Sequence, residues 1–169
     1  MKRRILISAL LAVSLLFTAV GCKKDNALKF EYCELGITLS RDFEPYDSKG
    51  AFNTAYYDGN LIVGMTRYSF VDCIEYGFLS TLDPEKFAEV YLEKSGKTNI
   101  TVEMSGDVPY YTYSLINASG SPYFYLLAFY RTPYAYFVIT FITPYEQAEK
   151  MHPIILNYAN GVYIVEGNW

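Results

Sequence analysis

The stretch YFYLLAFYRTPYAYFVITFI, residues 123–142, decides the fold class of this chain. Two runs rich in aromatic and branched residues flank Thr132-Pro133, a pattern typical of two strands and a turn. Both faces of the resulting hairpin are apolar, so we expect the sheet to be covered on both sides. With a two-residue turn, the facing pairs on one side are Phe129 with Tyr136, Leu127 with Val138 and Tyr125 with Thr140, and on the other Phe124 with Phe141, Leu126 with Ile139 and Ala128 with Phe137.

The segments around this hairpin extend it into an antiparallel sheet of about six strands. Each is a short β-prone run that ends at a glycine, a proline or a polar turn. Asp58-Gly59 is the clearest of these turns, because both positions tolerate positive φ. The further strand candidates are residues 30–34, 37–40, 55–57, 61–70, 100–105, 108–117 and 162–165, with Leu35-Gly36 separating the first two.

Two amphipathic helices are available to cover the sheet. The first begins at Asp83-Pro84, a capping residue followed by a proline suited to the first helical position, and ends at Gly96. The second begins at residues 143–146, where Thr143 and Glu146 match a capping box, and ends near Asn160-Gly161. The chain is therefore predicted to have an α+β fold, with an antiparallel sheet covered by helices on both faces.

The N-terminal region predicts export and lipid anchoring. A basic start at residues 2–4 precedes an uncharged apolar run at residues 5–17, which has signal-peptide length. The motif that follows, Ala19-Val20-Gly21-Cys22, resembles the lipobox of bacterial lipoproteins. This resemblance implies that the Cys22 thiol receives a diacylglyceryl group and that cleavage makes Cys22 the new N-terminus.

The lipobox resemblance sets the expected domain layout. Residues 1–21 form the lipoprotein signal peptide, residues 22–28 the lipidated N-terminus and a short tether, and residues 29–169 one globular domain. An uncleaved membrane helix and a plain signal peptide with a stray thiol are the two alternatives. The uncharged run is close to the lower limit for a membrane span, at about 18 residues.

The charge balance argues against nucleic acid as a partner. The sequence has 14 Lys and Arg against 18 Asp and Glu, a net charge of −4. The signal peptide holds three of the cations and no acid, so its removal leaves 11 cations against 18 acids, a net charge of −7. Nucleic-acid binding depends on an excess of positive charge, which the mature chain lacks.

The order of elements resembles the PsbP-like family over residues 30–158. The matching pieces are Gly36-Ile37-Thr38-Leu39 in an early strand, the helix from Pro84, the meander, and a C-terminal helix containing Ile154-Ile155-Leu156. The resemblance implies an α/β/α sandwich and a role in binding or assembly at membranes. It supplies no shared catalytic residues.

The residues themselves point to no catalytic, metal or cofactor site. His152 is the only histidine, so a histidine cluster for zinc is absent from the sequence. A nucleophilic pair of Cys33 or Cys73 with His152 is the remaining enzymatic alternative. In an exported compartment Cys33 and Cys73 are also candidates for a disulfide, although free cysteine is often buried as a small hydrophobe.

Two functions remain open at this stage. The first is a non-enzymatic binding or assembly module, lipid-anchored at the extracytoplasmic face of the cell membrane, with a membrane-associated protein as its partner. The second is a small-ligand or glycan binder that uses tyrosines of the sheet. Its candidate residues are Tyr110, Tyr123, Tyr125 and Tyr136, which are expected to share a face with Thr112, Ser114 and Thr140 unless a helix packs over them.

Overall fold

The computed structural model describes residues 27–97 and 99–167, which form a mixed α+β fold with antiparallel sheets, as predicted. The strands are β1 (Ala27–Tyr32), β2 (Leu35–Ser40), β3 (Glu44–Pro45), β4 (Thr54–Tyr57), β5 (Ile62–Ser69), β6 (Glu103–Ser105), β7 (Val108–Ile116), β8 (Pro122–Arg131), β9 (Ala135–Pro144) and β10 (Tyr163–Ile164). The helices are α1 (Phe70–Glu75), α2 (Pro84–Lys94) and α3 (Ala148–Asn160), with a 3-10 turn at Tyr145–Gln147.

The strands form two sheets rather than one sheet of about six strands. The main sheet has seven strands in the order β3-β4-β5-β9-β8-β7-β6. β1, β2 and β10 form a separate three-stranded sheet in which β1 and β10 occupy both edges of β2, so β2 cannot join the main sheet. The turn between β1 and β2 lies at Cys33 and Glu34, with Cys33 at φ 50°, and not at the predicted Leu35-Gly36.

The β8–β9 hairpin keeps the predicted faces but not the predicted register. Phe129 lies opposite Val138 instead of Tyr136, a shift of two residues. The connection is longer than predicted because the Thr132 N–H donates to the Ala135 carbonyl at 2.9 Å and the Thr132 hydroxyl oxygen accepts from the Ala135 N–H at 3.1 Å. Side chains alternate with a period of two, so this shift leaves every side chain on its predicted face.

Each face of the main sheet carries its own hydrophobic cluster. The α2-side cluster, under α1 and α2, includes Phe87, Tyr111, Leu127, Phe129, Tyr136 and Val138. The α3-side cluster, under α3 and β2, includes Ile37, Leu126, Phe137, Ile139, Phe141 and Ile155. The main sheet is therefore covered on both faces, as its sequence predicts, and Phe137 and Ile139 are fully buried.

The cover on the α3 side is mixed, which corrects the simple α/β/α sandwich. A helix is about 10 to 12 Å across and strands lie about 4.8 Å apart, so one helix covers about two strands. α3 contributes Met151 and Ile155 to the cluster, and β2 adds Leu35, Ile37 and Leu39 beside them. The three-stranded sheet therefore covers the area that α3 alone leaves open.

The predicted start of α2 is confirmed, whereas α3 begins later than predicted. The Asp83 side chain caps α2 by accepting a first-turn N–H at 2.7 Å. Thr143 and Pro144 are the last residues of β9, because pairing with β8 continues to that point. The Thr143 hydroxyl has no hydrogen-bond partner among the described residues, so it does not cap the helix. α3 then runs through Pro153 and ends at the expected Gly161.

Candidate functional site

A small pocket lies where β5, α1 and the C-terminal turn of α2 meet. We call it the aromatic pocket. Its volume is about 270 Å³, and four of its six lining residues are aromatic, a composition typical of ligand sites. The lining residues are Tyr68, Tyr76, Phe78, Tyr91, Lys94 and Ser95.

The sequence builds this pocket by turning the chain sharply after β5. Ser69 starts α1 with a capping box, in which its hydroxyl accepts from the Asp72 N–H at 3.1 Å and the Asp72 carboxylate accepts from the Ser69 N–H at 3.2 Å. The helix is followed by Gly77 at φ +70°, a conformation that glycine adopts at little cost. The Phe78 N–H then donates to the Cys73 carbonyl at 2.7 Å, which turns the chain back toward α2.

The aromatic walls hold one another in place. The Tyr68 ring makes edge-to-face contacts with Tyr76 and Tyr91, at centroid distances of 5.5 and 5.9 Å. Phe78 and Tyr91 are nearly parallel, with 9° between their planes and 6.1 Å between their centroids. Phe87 supports Phe78 at 5.1 Å. Edge-to-face and offset contacts are favourable for aromatic rings, so these walls are preformed.

Tyrosine hydroxyls supply the polar groups near the pocket. The Tyr68 and Tyr91 hydroxyl oxygens are 3.3 Å apart. The Tyr111 hydroxyl lies close to Tyr91 and Ser95 but is buried without a hydrogen-bond partner among the described residues. Burial raises the pKa of Tyr68 and of Tyr111 well above the ordinary value, so both hydroxyls stay protonated at neutral pH. Of these two residues only Tyr68 lines the pocket, whereas Tyr111 is fully buried and is not among the lining residues.

Lys94 gives the pocket its charge. It lies in the last turn of α2, and its Nζ is 5.5 Å from the centroid of the Phe78 ring. Within residues 27–97 and 99–167, it forms none of the ion pairs. The pocket lining contains no carboxylate. The aromatic pocket thus combines apolar walls, neutral hydroxyls and one cation.

An exposed apolar surface adjoins the pocket at α1. The exposed fractions are 76% for Val71, 78% for Ile74, 58% for Tyr76 and 67% for Leu79. We call these four residues the α1 patch. Val71 and Ile74 are three positions apart and are therefore neighbours on the outer face of α1. Exposed apolar residues grouped in this way are typical of a docking site, whereas single exposed apolar residues are common.

The four tyrosines predicted to share a face do not do so. Tyr110 lies opposite Ala128 on the α3-side face, together with Thr112 and Ser114. Its hydroxyl donates to the Glu103 carboxylate at 2.9 Å. The loop at residues 117–121 sets this pairing, and a loop one residue longer or shorter would reverse the face of every side chain in β7.

The other three predicted tyrosines lie on the α2-side face in different environments. Tyr136 is fully buried beneath the Phe87 ring, and its hydroxyl donates to the Leu82 carbonyl at 2.7 Å. Tyr123 and Tyr125 are half-buried beyond the end of α2. The helix therefore covers one of the predicted residues and leaves two of them in contact with solvent.

Tyr125 belongs to an aromatic stack that the sequence did not predict. The Tyr113 and Tyr125 rings are parallel within 3°, with centroids 4.9 Å apart. The Lys97 Nζ lies 4.5 Å from the Tyr113 centroid. Burial raises the pKa of Tyr113 to about 12. This stack, and not the predicted set of four, is the half-exposed tyrosine surface of the main sheet.

The structure does not bring the two described cysteines together. Cys33 packs against the α3-side cluster and Cys73 belongs to the α2-side cluster, so the main sheet separates them, and both thiols are free. His152 lies beside Tyr110 and Phe124 on the α3 side, apart from Cys73. Cys22, the predicted lipidation site, lies outside the described residues.

Residues 27–97 and 99–167 contain no group of three His, Cys, Asp or Glu side chains placed to hold a metal ion. None of the helices in this part of the chain is both long and apolar enough to cross a membrane.

The sequence interpretation missed α1 and with it most of the pocket. Ser69 and Asp72 have the spacing of a capping box, and this signal could have located the helix. The apolar residues after Asp72 show no long helical repeat, because α1 has only six residues. Tyr68, Tyr76 and Tyr91 come from three different elements, so their proximity depends on the tertiary fold.

Comparison with known proteins identifies the fold. No family model and no curated protein matches the sequence. A crystal structure from Bacteroides thetaiotaomicron VPI-5482 at 1.50 Å resolution superposes with a TM-score of 0.57 at 12% identity, covering 83% of this chain and 49% of that one. The solution structure of cyanobacterial PsbP (CyanoP) from Synechocystis sp. PCC 6803 gives a TM-score of 0.50 at 10% identity, covering 86% and 96%.

These likenesses establish the fold alone, because the identities are low. The chain spans about half the length of the Bacteroides protein and nearly all of CyanoP. The predicted resemblance to PsbP-like proteins is thus confirmed for the fold, a mixed α+β arrangement with antiparallel sheets.

Proposed function

We propose that this chain is a non-enzymatic extracytoplasmic binding module, lipid-anchored through Cys22, that docks on a membrane-associated protein through the α1 patch. The observation that carries this proposal is the exposure of Val71, Ile74 and Leu79, each at least two-thirds exposed on one short segment. The PsbP-like fold agrees with a binding or assembly role, and the lipobox resemblance supplies the anchor.

The α1 patch is held in position and is not a frayed end. The capping box fixes the start of α1, and the buried Cys73 fixes its inner face. Phe70 packs against Tyr136 with 5.3 Å between ring centroids. Since the inner residues are fixed, Val71 and Ile74 project outward from a stable helix. A preformed apolar surface loses little conformational entropy on binding.

The acids of α1 favour a partner with basic groups opposite them, while Arg131 beside Phe70 and Lys94 beside Gly77 add positive charge at the edges of the patch. Asp72 and Glu75 lie on α1 between and beside the apolar positions, and both are exposed. Opposite charges on the partner would fix the register and speed the encounter. A chain with a mature net charge of −7 also steers toward a basic surface.

The proposed anchor would keep the module close to the membrane. β1 begins at Ala27, so four residues and five Cα–Cα steps separate it from the Cys22 attachment point. A chain extends at most about 3.6 Å per residue, which gives the tether a reach of about 18 Å. Confinement to this layer raises the effective concentration of a membrane-associated partner, so a modest interface suffices for docking.

Photo-crosslinking in intact cells tests the docking surface. A photoreactive residue replaces Leu79, and the crosslinked partner is quantified with and without Ile74→Glu. We expect this substitution to reduce the crosslinked yield at least about tenfold, because it places a charge in a buried apolar contact. The matched control is Ile116→Glu, at a residue 73% exposed on the distant β7–β8 hairpin. Equal yields from Ile74→Glu and Ile116→Glu would rule out docking through the patch.

Metabolic labelling with a fatty acid tests the anchor. Cys22→Ser is expected to abolish acyl labelling and to leave the signal peptide attached, because serine offers no thiol for the thioether. Cys33→Ser is the matched control and should be labelled and processed like the parent. Normal labelling of the Cys22→Ser protein would show that Cys22 is not the attachment point.

A small-ligand or glycan-binding role is the second candidate function. The parallel Tyr113 and Tyr125 rings, with Lys97 beside them, carry this candidate, because half-exposed aromatic faces stack on sugar rings. This role does not require the chain to be held near its target. Equal crosslinking of the partner by the anchored protein and by a soluble form that starts at Lys23 would favour this second role.

A further inference from the structure

We infer that the aromatic pocket binds a small organic monoanion with one apolar ring, of the class of simple aromatic carboxylates, and that Lys94 contacts its carboxylate. Because the aromatic pocket and the α1 patch share only Tyr76, ligand binding and partner docking can be lost separately.

The charge of the ligand follows from Lys94. The Lys94 ammonium is the single formal charge among the six lining residues. It lies over the turn at Gly77, where an added Cβ would come within 3.0 Å of its Nζ, so the ammonium is at the pocket rim. A cationic ligand would meet this ammonium directly. One lysine without a second cation suits a monoanion rather than a phosphate dianion.

The hydrogen-bonding groups of the pocket also favour an acceptor. Tyr68 and Tyr91 line the pocket, and their hydroxyl oxygens are 3.3 Å apart. Only one of these two hydroxyls donates in that contact, so the other has a proton for an acceptor on a ligand. Protonated tyrosine hydroxyls donate to a carboxylate, which accepts at both of its oxygens.

The size and walls of the pocket define the rest of the ligand. The volume of about 270 Å³ holds one ring and is below the range of drug-sized sites. Tyr68, Phe78 and Tyr91 present ring faces and edges, so an aromatic or similarly flat body is the complementary shape.

Ligand-observed NMR titration of the intact protein tests this assignment with benzoate as the probe. Benzyl alcohol, its neutral analogue, and benzylamine, its cationic analogue, are titrated in parallel. We expect benzoate to bind at least about tenfold more tightly than benzyl alcohol, because only benzoate makes a charged contact with Lys94. We expect benzylamine not to bind, because Lys94 repels its ammonium group. Equal binding of benzoate and benzylamine, or no binding of benzoate, overturns the assignment.

Two variants locate the binding in the pocket. Lys94→Met should weaken benzoate about tenfold and leave benzyl alcohol unchanged, since the methionine keeps the apolar stem. Lys97→Met is the matched control and should have no effect, because Lys97 lies over Tyr113. If Lys94→Met and Lys97→Met bind benzoate equally, the carboxylate does not contact Lys94.

A third variant separates this assignment from the proposed docking. Ile74→Glu changes the α1 patch outside the pocket lining. It is expected to leave benzoate binding within about twofold of the parent, whatever its effect on crosslinking. Loss of benzoate binding in this variant would show that the two surfaces form one site and would overturn a separate ligand pocket.

Discussion

Replacing Phe87 by alanine is expected to lower the free energy of unfolding by about 3 to 5 kcal/mol, the range for a fully buried phenylalanine. Phe87 is the residue through which α2 packs on the main sheet. Its ring stacks on Tyr136 at 4.1 Å and contacts Phe129 at 5.8 Å and Phe78 at 5.1 Å. The alanine would leave a cavity that these rings cannot fill without losing their own contacts.

Urea unfolding followed by circular dichroism measures this effect. Val71→Ala is the control, because it also removes apolar atoms but from a residue 76% exposed. We expect the control to change the free energy of unfolding by less than about 0.5 kcal/mol. If the two variants unfold at the same urea concentration, the packing of α2 on the sheet does not stabilise the fold in the way described.

Replacing Arg67 by methionine is expected to lower the free energy of unfolding by about 3 kcal/mol, the lower end of the range for a broken buried ion pair. Arg67 donates from Nε and Nη2 to the two carboxylate oxygens of Glu34, at 2.9 and 2.5 Å. The Glu34 side chain is 2% exposed and the Arg67 side chain 24%. The methionine would therefore leave a buried carboxylate without its cation.

The pH dependence gives this prediction a distinctive signature. The hydrogen bonds from Arg67 hold the pKa of Glu34 below its ordinary value of 4.5. In the parent the stability from this pair is present above that pH and is lost as the pH falls through the folded-state pKa. In Arg67→Met the pKa of the buried Glu34 rises instead, so acid relieves the penalty. The difference in the free energy of unfolding between the parent and Arg67→Met should therefore become smaller as the pH falls from about 7 to about 4.

Two further variants separate the ion pair from general effects of charge. Lys86→Met removes the exposed pair of Lys86 with Glu89 and should leave the unfolding midpoint unchanged. The double variant Glu34→Leu with Arg67→Met removes both charges and should recover most of the loss. A pH-independent difference, or no recovery in the double variant, would contradict the role assigned to Glu34.

The sequence predicted the faces of the central hairpin better than its register. Phe137 and Ile139 fall on the expected side although their partners differ by two residues. Alternation has a period of two, so an even error in the turn length preserves the faces. An odd error reverses the faces instead, and such an error placed Tyr110 on the wrong face. Nothing in the loop at residues 117–121 distinguishes an odd from an even pairing.

Tertiary contacts decided what the sequence could not predict. The Thr143 region has a helix-start signal, but pairing with β8 outweighs it and keeps Thr143 in β9. The aromatic pocket depends on how α1 returns the chain to α2, which is a property of the assembled domain. The sequence identified Lys94 and Tyr91 on one helix, but not the Tyr68 and Phe78 rings that they meet.

The separation of the two hydrophobic clusters has an evolutionary consequence. Phe87 and Ile139 lie on opposite faces of the main sheet, and side chains without shared neighbours have nearly additive effects on stability. Substitutions around α1 and α2 therefore leave the packing of α3 and the three-stranded sheet unchanged. One face of the main sheet can therefore change its side chains while the packing on the other face is kept, which agrees with the sharing of this architecture at 10 or 12% identity.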